Sequence, residues 1–266
     1  SKELSKNLFG MAAYTFTHSE DVSSNPGSQA ASAWSNNLSV NGQNRLDLQT
    51  SEFAVPHRVI GSLSYKINYA NFMSTSLSLF YEGAKLGRFS YRYSADLNQD
   101  GINADLLYVP KDPSEITFTD IRSGGNVTFT AQQQSDAFFA YVAQDKYLSE
   151  NLGKYAERNG ALLPWRNRFD FRVLQDFFVN VNGKKNTFQI SVDILNAGNL
   201  LNSDWGIRQV QAVPSGSILR PTVNATTGEA TYQLVTVGGK LPTTSFNKQI
   251  STATTWGAQV GLRYIF

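Results

Sequence analysis

Trp256-Gly-Ala-Gln-Val-Gly-Leu-Arg-Tyr-Ile-Phe266 sets Trp256, Ala258, Val260, Leu262, Tyr264 and Phe266 against Gly257, Gln259, Gly261, Arg263 and Ile265. Side chains of an extended strand point alternately to opposite faces, so the segment reads as a strand with one apolar side and one largely polar side. At about 3.3 Å per residue and about 45° of tilt, a strand of about eleven residues spans roughly 25 Å, the height of the apolar band of an outer-membrane barrel.

The same period of two recurs upstream. Leu8 to His18 carries Leu8, Ala12, Tyr14 and Phe16 on one side. Arg58 to Tyr69 sets Val59, Leu63, Tyr65, Ile67 and Tyr69 against Arg58, Ser62, Ser64, Lys66 and Asn68. A tight connection at Ala70-Asn-Phe72 leads to Thr75, Leu77, Leu79 and Tyr81, which predicts an antiparallel hairpin. Trp165 to Val181 alternates again, with Phe169, Phe171, Val173, Phe177 and Val179 opposite Arg166, Arg168, Asp170 and Arg172. Asn182-Gly183 then starts a tight turn, and Phe188, Ile190, Val192 and Ile194 form the next stripe. Arg88 to Ala95 alternates as well, but leads straight into the second long insertion.

Between these strands lie long polar insertions. Ser19 to Ser51 is rich in Ser, Asn, Gln and Gly. The second insertion holds Phe138, Phe139, Val142 and Ala143 at helical spacing, which predicts a short amphipathic helix over Ala131 to Gln144 whose two phenylalanines fill a small loop core. A further helical turn is expected near Ser149, stopping at Gly153. The third, about Asn196 to Ser251, is expected to hold a hairpin around Tyr232 to Val237. Long and short connections alternate, and short turns at one end with long loops at the other is the pattern of periplasmic and extracellular sides of an outer-membrane barrel. The expected fold is therefore an all-β, antiparallel transmembrane β-barrel segment of about six membrane strands with long extracellular loops containing a short helix. The smallest single-chain bacterial barrel has about eight strands, and open edges in lipid leave backbone groups unsatisfied. The chain, residues 1–266, is thus expected to be the C-terminal part of a larger barrel. Ser1-Lys-Glu-Leu-Ser-Lys-Asn7 has no apolar core and is not a signal peptide, which suits a mature chain or a fragment.

Composition narrows the function. No run of about 18 apolar residues exists for a membrane helix, but alternating strands escape that criterion. With no cysteine, thiol chemistry and thiolate metal sites are excluded, and with only His18 and His57 there is no histidine cluster. A net charge of +2 does not argue for nucleic acid as a partner. No catalytic constellation stands out, and an enzyme is not expected.

Three stretches then carry a resemblance: Tyr93-Ser-Ala-Asp-Leu-Asn-Gln-Asp-Gly-Ile-Asn-Ala-Asp-Leu-Leu-Tyr-Val-Pro110, Gly153-Lys-Tyr-Ala-Glu-Arg-Asn-Gly-Ala-Leu-Leu-Pro-Trp-Arg-Asn-Arg-Phe-Asp-Phe171 and Asp193-Ile-Leu-Asn-Ala-Gly-Asn-Leu-Leu-Asn-Ser-Asp-Trp205. With the terminal Phe266, this set resembles the C-terminal barrel region of Oar-like TonB-dependent outer-membrane receptors of Bacteroidetes-type bacteria, from about Arg58 onward. The resemblance implies a barrel of about 22 strands closed by an N-terminal plug. It implies outer-membrane lipid, the remaining strands and plug, TonB and a surface lipoprotein as partners, and uptake of a bulky nutrient as the activity. Neither a plug domain nor a TonB-contacting segment is recognisable in these residues. A non-transport barrel or adhesin whose loops bind a surface partner is the alternative, and a soluble all-β binding domain a third reading.

Four groups of residues are singled out. Asp96, Asn98 and Asp100, followed by Gly101, match the first half of a calcium loop, although Leu107 stands where the last acidic ligand belongs; the competing reading is a turn that caps its own backbone. No cofactor is otherwise required. Arg166, Arg168, Asp170 and Arg172 form a lumen-facing charge stripe, suited to guiding an anionic substrate or meeting plug carboxylates, or else simply paired to neighbouring strands. Leu262, Tyr264 and Phe266 resemble the C-terminal signal read by barrel-assembly machinery, through strand addition at a free edge; plain lipid-facing packing is the alternative. Trp165, Trp256, Tyr69 and Phe72 sit at strand ends as interfacial anchors.

Overall fold

A computed structural model describes residues 2–266. The protein is mostly β and is organised around one seven-stranded antiparallel sheet: β1 (Lys2–Ser5), β2 (Leu8–Phe16), β3 (His57–Tyr69), β4 (Met73–Lys85), β5 (Trp165–Val181), β6 (Lys184–Leu195) and β7 (Gly257–Ile265). Each strand pairs with its neighbour in sequence, so the sheet is a meander. Among the described residues β1 and β7 are not bonded to each other, and the sheet stays open. The expected count of about six rises to seven because Lys2–Ser5 returns along β2.

Register places the apolar stripes side by side. Leu8, Tyr65, Leu77, Val173, Val192 and Val260 are successive cross-strand partners, as are Gly10, Leu63, Leu79, Phe171, Ile194 and Ala258. A one-residue slip anywhere would throw a whole stripe to the other side, so this shared face specifies the pairing. Aromatic rows bound it. Tyr69, Phe177, Phe188 and Tyr264 lie near one end, and Tyr14, Phe16, Tyr81 and Phe169 near the other. The opposite face carries Ser64, Ser78, Arg172, Asp193 and Gln259 in one row and Asn68, Ser74, Asp176, Gln189 and Arg263 in another.

Connections at the two ends differ. Asn182 and Gly183 have φ of 52° and 78°, the paired left-handed residues of a type I′ turn, which Asn-Gly adopts readily. Ala70 and Asn71 also take positive φ, 52° and 54°, although alanine pays for it. At the other end, residues 17–56, 86–164 and 196–256 fold together as a cap with its own core. Tyr91, Leu107, Val109, Phe138, Leu148, Ile218, Leu219 and Leu234 are buried there. The helix α1 (Ala30–Ser35) lies in the first insertion.

The helix expected over Ala131 to Gln144 forms over those residues as α2 (Ala131–Gln144). Its start is a capping box: the Thr130 hydroxyl accepts from Gln133 N–H at 3.2 Å, and the Gln133 side chain accepts from Thr130 N–H at 2.9 Å. Gln134, Phe138, Tyr141 and Val142 bury one side, and Phe139 is half-buried against the same core. Asp145 ends α2 and caps α3 (Lys146–Glu150), accepting from Leu148 N–H at 2.9 Å; Gly153 follows at φ 73°.

Arg88 to Ala95 divides into two short strands within the cap: Arg88–Phe89 pairs with Ala161–Leu162, and Arg92–Tyr93 pairs in parallel with Ser217–Val223. Its alternation arises because Tyr91 and Tyr93 are buried in the cap core with Phe89 packed against it. The hairpin of the third insertion is Ser217–Val223 with Ala230–Leu234. Tyr232 belongs to its second strand, whereas Val237 bridges Lys240 across Gly238-Gly239.

Candidate functional site

The turn at Asp96 is held by its own carboxylates. Asp96 Oδ2 accepts from Gly101 N–H at 2.7 Å, Asn98 Oδ1 from Asp100 N–H at 2.9 Å and Asp100 Oδ1 from Ile102 N–H at 2.8 Å. Gln99 and Gly101, at φ 59° and 88°, supply the sharp bend. Asp105, which follows in the same loop, is buried and accepts from Leu97 N–H at 2.7 Å. Burial raises the Asp105 pKa; the Leu97 and Asn98 N–H groups oppose the rise, and the charges of Asp96 and Asp100 add to it. Asp96 Oδ1 is shut away from solvent without a partner. Among the described residues no three Asp, Glu or His side chains gather at a spacing that would hold a metal ion. The geometry is that of a self-capped turn, with the oxygens largely committed to backbone.

The charge stripe lies on the polar face as one row along β5, and its arginines have carboxylate partners. Glu82 on β4 takes Arg58 at 2.6 Å and Arg166 at 3.5 Å. Arg168 donates to Asp170 at 2.8 Å, and Asp170 also accepts from Asn196 N–H at 2.7 Å. Arg172 donates to Asp193 on β6. Alternation along β5 and the register with β4 and β6 thus produce local neutralisation.

Leu262 and Tyr264 face the apolar side of β7, opposite Ile190 and Phe188. They and Phe266 are exposed, and Tyr264 stacks 5.9 Å from Phe266 while its hydroxyl donates to Asn186 at 2.7 Å. The far edge of β7 carries no strand among the described residues.

Two features were not anticipated from sequence. Arg158 is buried in the cap and donates to the Asp21 carboxylate at 2.7 Å, to Asn37 Oδ1 at 2.6 Å and to Val22 O at 2.8 Å, tying the first insertion to the second. Its partners are over a hundred residues away in sequence, so no local pattern marks it. The second feature is a cavity of about 720 Å³ at the cap end of the apolar face. Tyr81, Trp165, Arg166, Asn167 and Phe169 line it from the sheet, and Gly198, Asp204 and Trp205 from the third insertion. Trp165 is legible in the sequence as a strand-end residue, but its meeting with Trp205 is not.

Compared with known proteins, the chain matches no family model, no curated sequence and no solved structure.

Proposed function

We propose that the chain forms the C-terminal wall and outer loops of a TonB-dependent β-barrel transporter in a bacterial outer membrane, and that it acts in import of a bulky nutrient rather than in catalysis. One observation carries this reading: an exposed, predominantly apolar face runs across the sheet, interrupted by Thr75 and Gln175, with aromatic rows at both ends and a mainly polar face behind it. Six strands about 4.8 Å apart and about 25 Å of apolar height give a patch of roughly 600 Å², at the upper limit for a soluble monomer. Lipid removes the penalty of that exposure, and no apolar helix is needed. The free edges of β1 and β7 call for further strands, supplied by sequence upstream or by another chain, because unpaired backbone in hydrocarbon costs several kcal/mol per group. Short turns at one end and the folded cap at the other suit periplasmic and extracellular sides. The sequence resemblance supplies the TonB dependence and the transported class.

The cap, with a core of its own, favours a second reading: a barrel or adhesin whose cap binds a surface partner without transport. Heat-modifiable migration of the intact protein from membrane fractions tests the barrel. Migration that does not change on heating removes both readings. Energy-dependent uptake that fails when the TonB system is deleted separates transport from adhesion. For the C-terminal residues, loss of Phe266 should impair assembly more than Val260→Ala; equal effects would reduce them to lipid-facing packing.

A further inference from the structure

We infer that the first insertion, residues 17–56, is a hinged flap, latched shut against the second insertion by Arg158 and opening as a unit. Its two ends leave the sheet side by side, because Phe16 and His57 are cross-strand partners and Thr17 N–H donates to Pro56 O at 3.2 Å. The segment also holds itself together. Glu20–Asp21 pairs with Gln49–Thr50, and Ser51 N–H donates to Ser19 O at 2.9 Å. Among the described residues it contributes no side chain to the apolar core that the other two insertions share. Apart from Ala54 and Pro56 beside the hinge, none of its apolar side chains is fully buried, and Trp34, Leu48 and Phe53 are exposed. What it buries instead is Asn37, Ser39, Gln43 and Ser51.

The seam is therefore polar. Besides the guanidinium bonds to Asp21, Val22 and Asn37, Arg158 N–H donates to Gln49 Oε1 at 2.7 Å, Asn159 Nδ2 to Thr50 O at 3.0 Å and Arg88 Nε to Ala54 O at 3.1 Å. Ser39 N–H donates to Ala104 O and Ser39 O accepts from Leu106 N–H, both at 3.0 Å. Opening exchanges such bonds for bonds to water at a small net cost each, whereas parting an apolar core exposes area to water with no compensation. The closed seam is also incompletely satisfied: Ser39 Oγ, Gln43 Oε1 and Arg158 Nε are shut away from solvent with no partner in the protein. Opening hydrates all three and offsets part of the loss. A segment with few buried apolar contacts opens without global unfolding. Arg158 is the latch because one buried guanidinium reaches three residues of the flap, and charge-assisted bonds are the strong ones.

The chain has no cysteine, so Ser39→Cys places a buried thiol in the seam and Val142→Cys one in the cap core. Thiol labelling of the intact protein, mapped by mass spectrometry and scaled to each thiol's rate in denaturant, reads the opening of each site. Ser39→Cys should label at least about tenfold faster than Val142→Cys. Adding Arg158→Met should speed labelling in the seam by a further factor of about ten, the weight of one charged hydrogen bond, and leave the core thiol unchanged. Asp21→Asn is milder, since its carbonyl still accepts, and should act in the same direction with the core thiol unmoved. In hydrogen exchange the Ser39 amide, bonded across the seam, should exchange faster than the Ser51 amide, bonded within the flap. Labelling at Ser39→Cys no faster than at Val142→Cys overturns the flap. Acceleration by neither variant, or of both thiols alike by Asp21→Asn, overturns the latch. Equal exchange at Ser39 and Ser51 overturns opening as a unit, because the insertion would then unravel.

Discussion

The sheet and the cap solve opposite problems with the same residue types. In the cap Phe138, Leu107 and Ile218 are 0% exposed, as expected of a protein in water. In the sheet Val260 and Leu262 are 69% and 70% exposed, and the face behind them is mainly serines and paired charges, with Ile60, Phe80, Leu174 and Phe178 among them. The carboxylates of sheet and cap differ in particular cases: Asp193 on the sheet holds an arginine, whereas the buried Asp105 in the cap is held by backbone N–H groups. Hydropathy averaged along the chain merges the two regions; the direction in which the apolar side chains point separates them. One region is built around an apolar interior, the other around an apolar exterior.

The comparison breaks hardest at Phe138. Phe138→Ala removes a ring in full contact with the cap core and should cost about 3–5 kcal/mol. Limited proteolysis should then cut the three insertions while β2 to β7 stay protected. Loss of the whole protein instead would show that cap and sheet fold as one unit. On the sheet, Val260→Arg reverses the usual expectation for an exposed site. In water a substitution at 69% exposure changes stability by less than about 0.5 kcal/mol, but near the middle of a bilayer arginine costs about 2–4 kcal/mol. Denaturant unfolding of the reconstituted protein in lipid vesicles distinguishes the two values, and the smaller one would place this face in water.

Much of the sheet was legible because period two is a local signal. Trp165 to Val181 and Ala131 to Gln144 were bounded correctly by alternation and helical spacing alone. The failures have a common cause: alternation reports that a segment has two sides, not what lies on each. Tyr91 and Tyr93 alternate toward the cap core, so Arg88 to Ala95 shows the period of a membrane strand without being one. Lys2-Glu-Leu-Ser5 offers only Leu4 to a stripe, and its strand exists through pairing with β2. Of the site residues, the arginine row was legible as a row, but its partners Glu82 and Asp193 belong to neighbouring strands and appear only once the register is known. The Asp96 turn was legible from Asp, Asn and Gly at alternate positions, while the role of Asp105 depends on burial. Arg158 and the Trp205 cavity depend on contacts between insertions, for which a single sequence carries no local sign.

A smaller effect sharpens the contrast at the short-turn end. Ala70 holds a left-handed conformation at φ 52° that costs an L-residue about 1 kcal/mol. Ala70→Gly should stabilise the β3–β4 hairpin by up to about 1 kcal/mol, since glycine adopts this conformation without a Cβ clash. Hydrogen exchange of Phe72, whose N–H donates to Ala70 O at 2.7 Å, should slow correspondingly. Faster exchange would mean that the turn prefers alanine's restriction of the unfolded chain.

The smallest expected effect concerns Asp105, whose environment has no counterpart on the sheet. Burial raises its pKa, and the charges of Asp96 and Asp100 act in the same direction against the opposing Leu97 and Asn98 N–H groups. A carboxyl whose folded pKa lies above its unfolded value binds protons more tightly when folded. Its contribution to stability is therefore fully present below the unfolded value of about 4 and is lost as pH rises through the folded one. On acidification toward about pH 4, the amides of Leu97 and Asn98 should gain protection relative to the Asp105→Asn variant, whose side chain can still accept from Leu97 but does not titrate. A calcium ion would invert that profile, because it binds the deprotonated carboxylates and would stabilise the turn as pH rises. Since backbone N–H groups already occupy most of the turn's oxygens, exchange at neutral pH should be the same in calcium and in chelator. Calcium-dependent protection lost in Asp96→Asn would instead make this turn a cation site, with the unpartnered Asp96 Oδ1 as its first ligand.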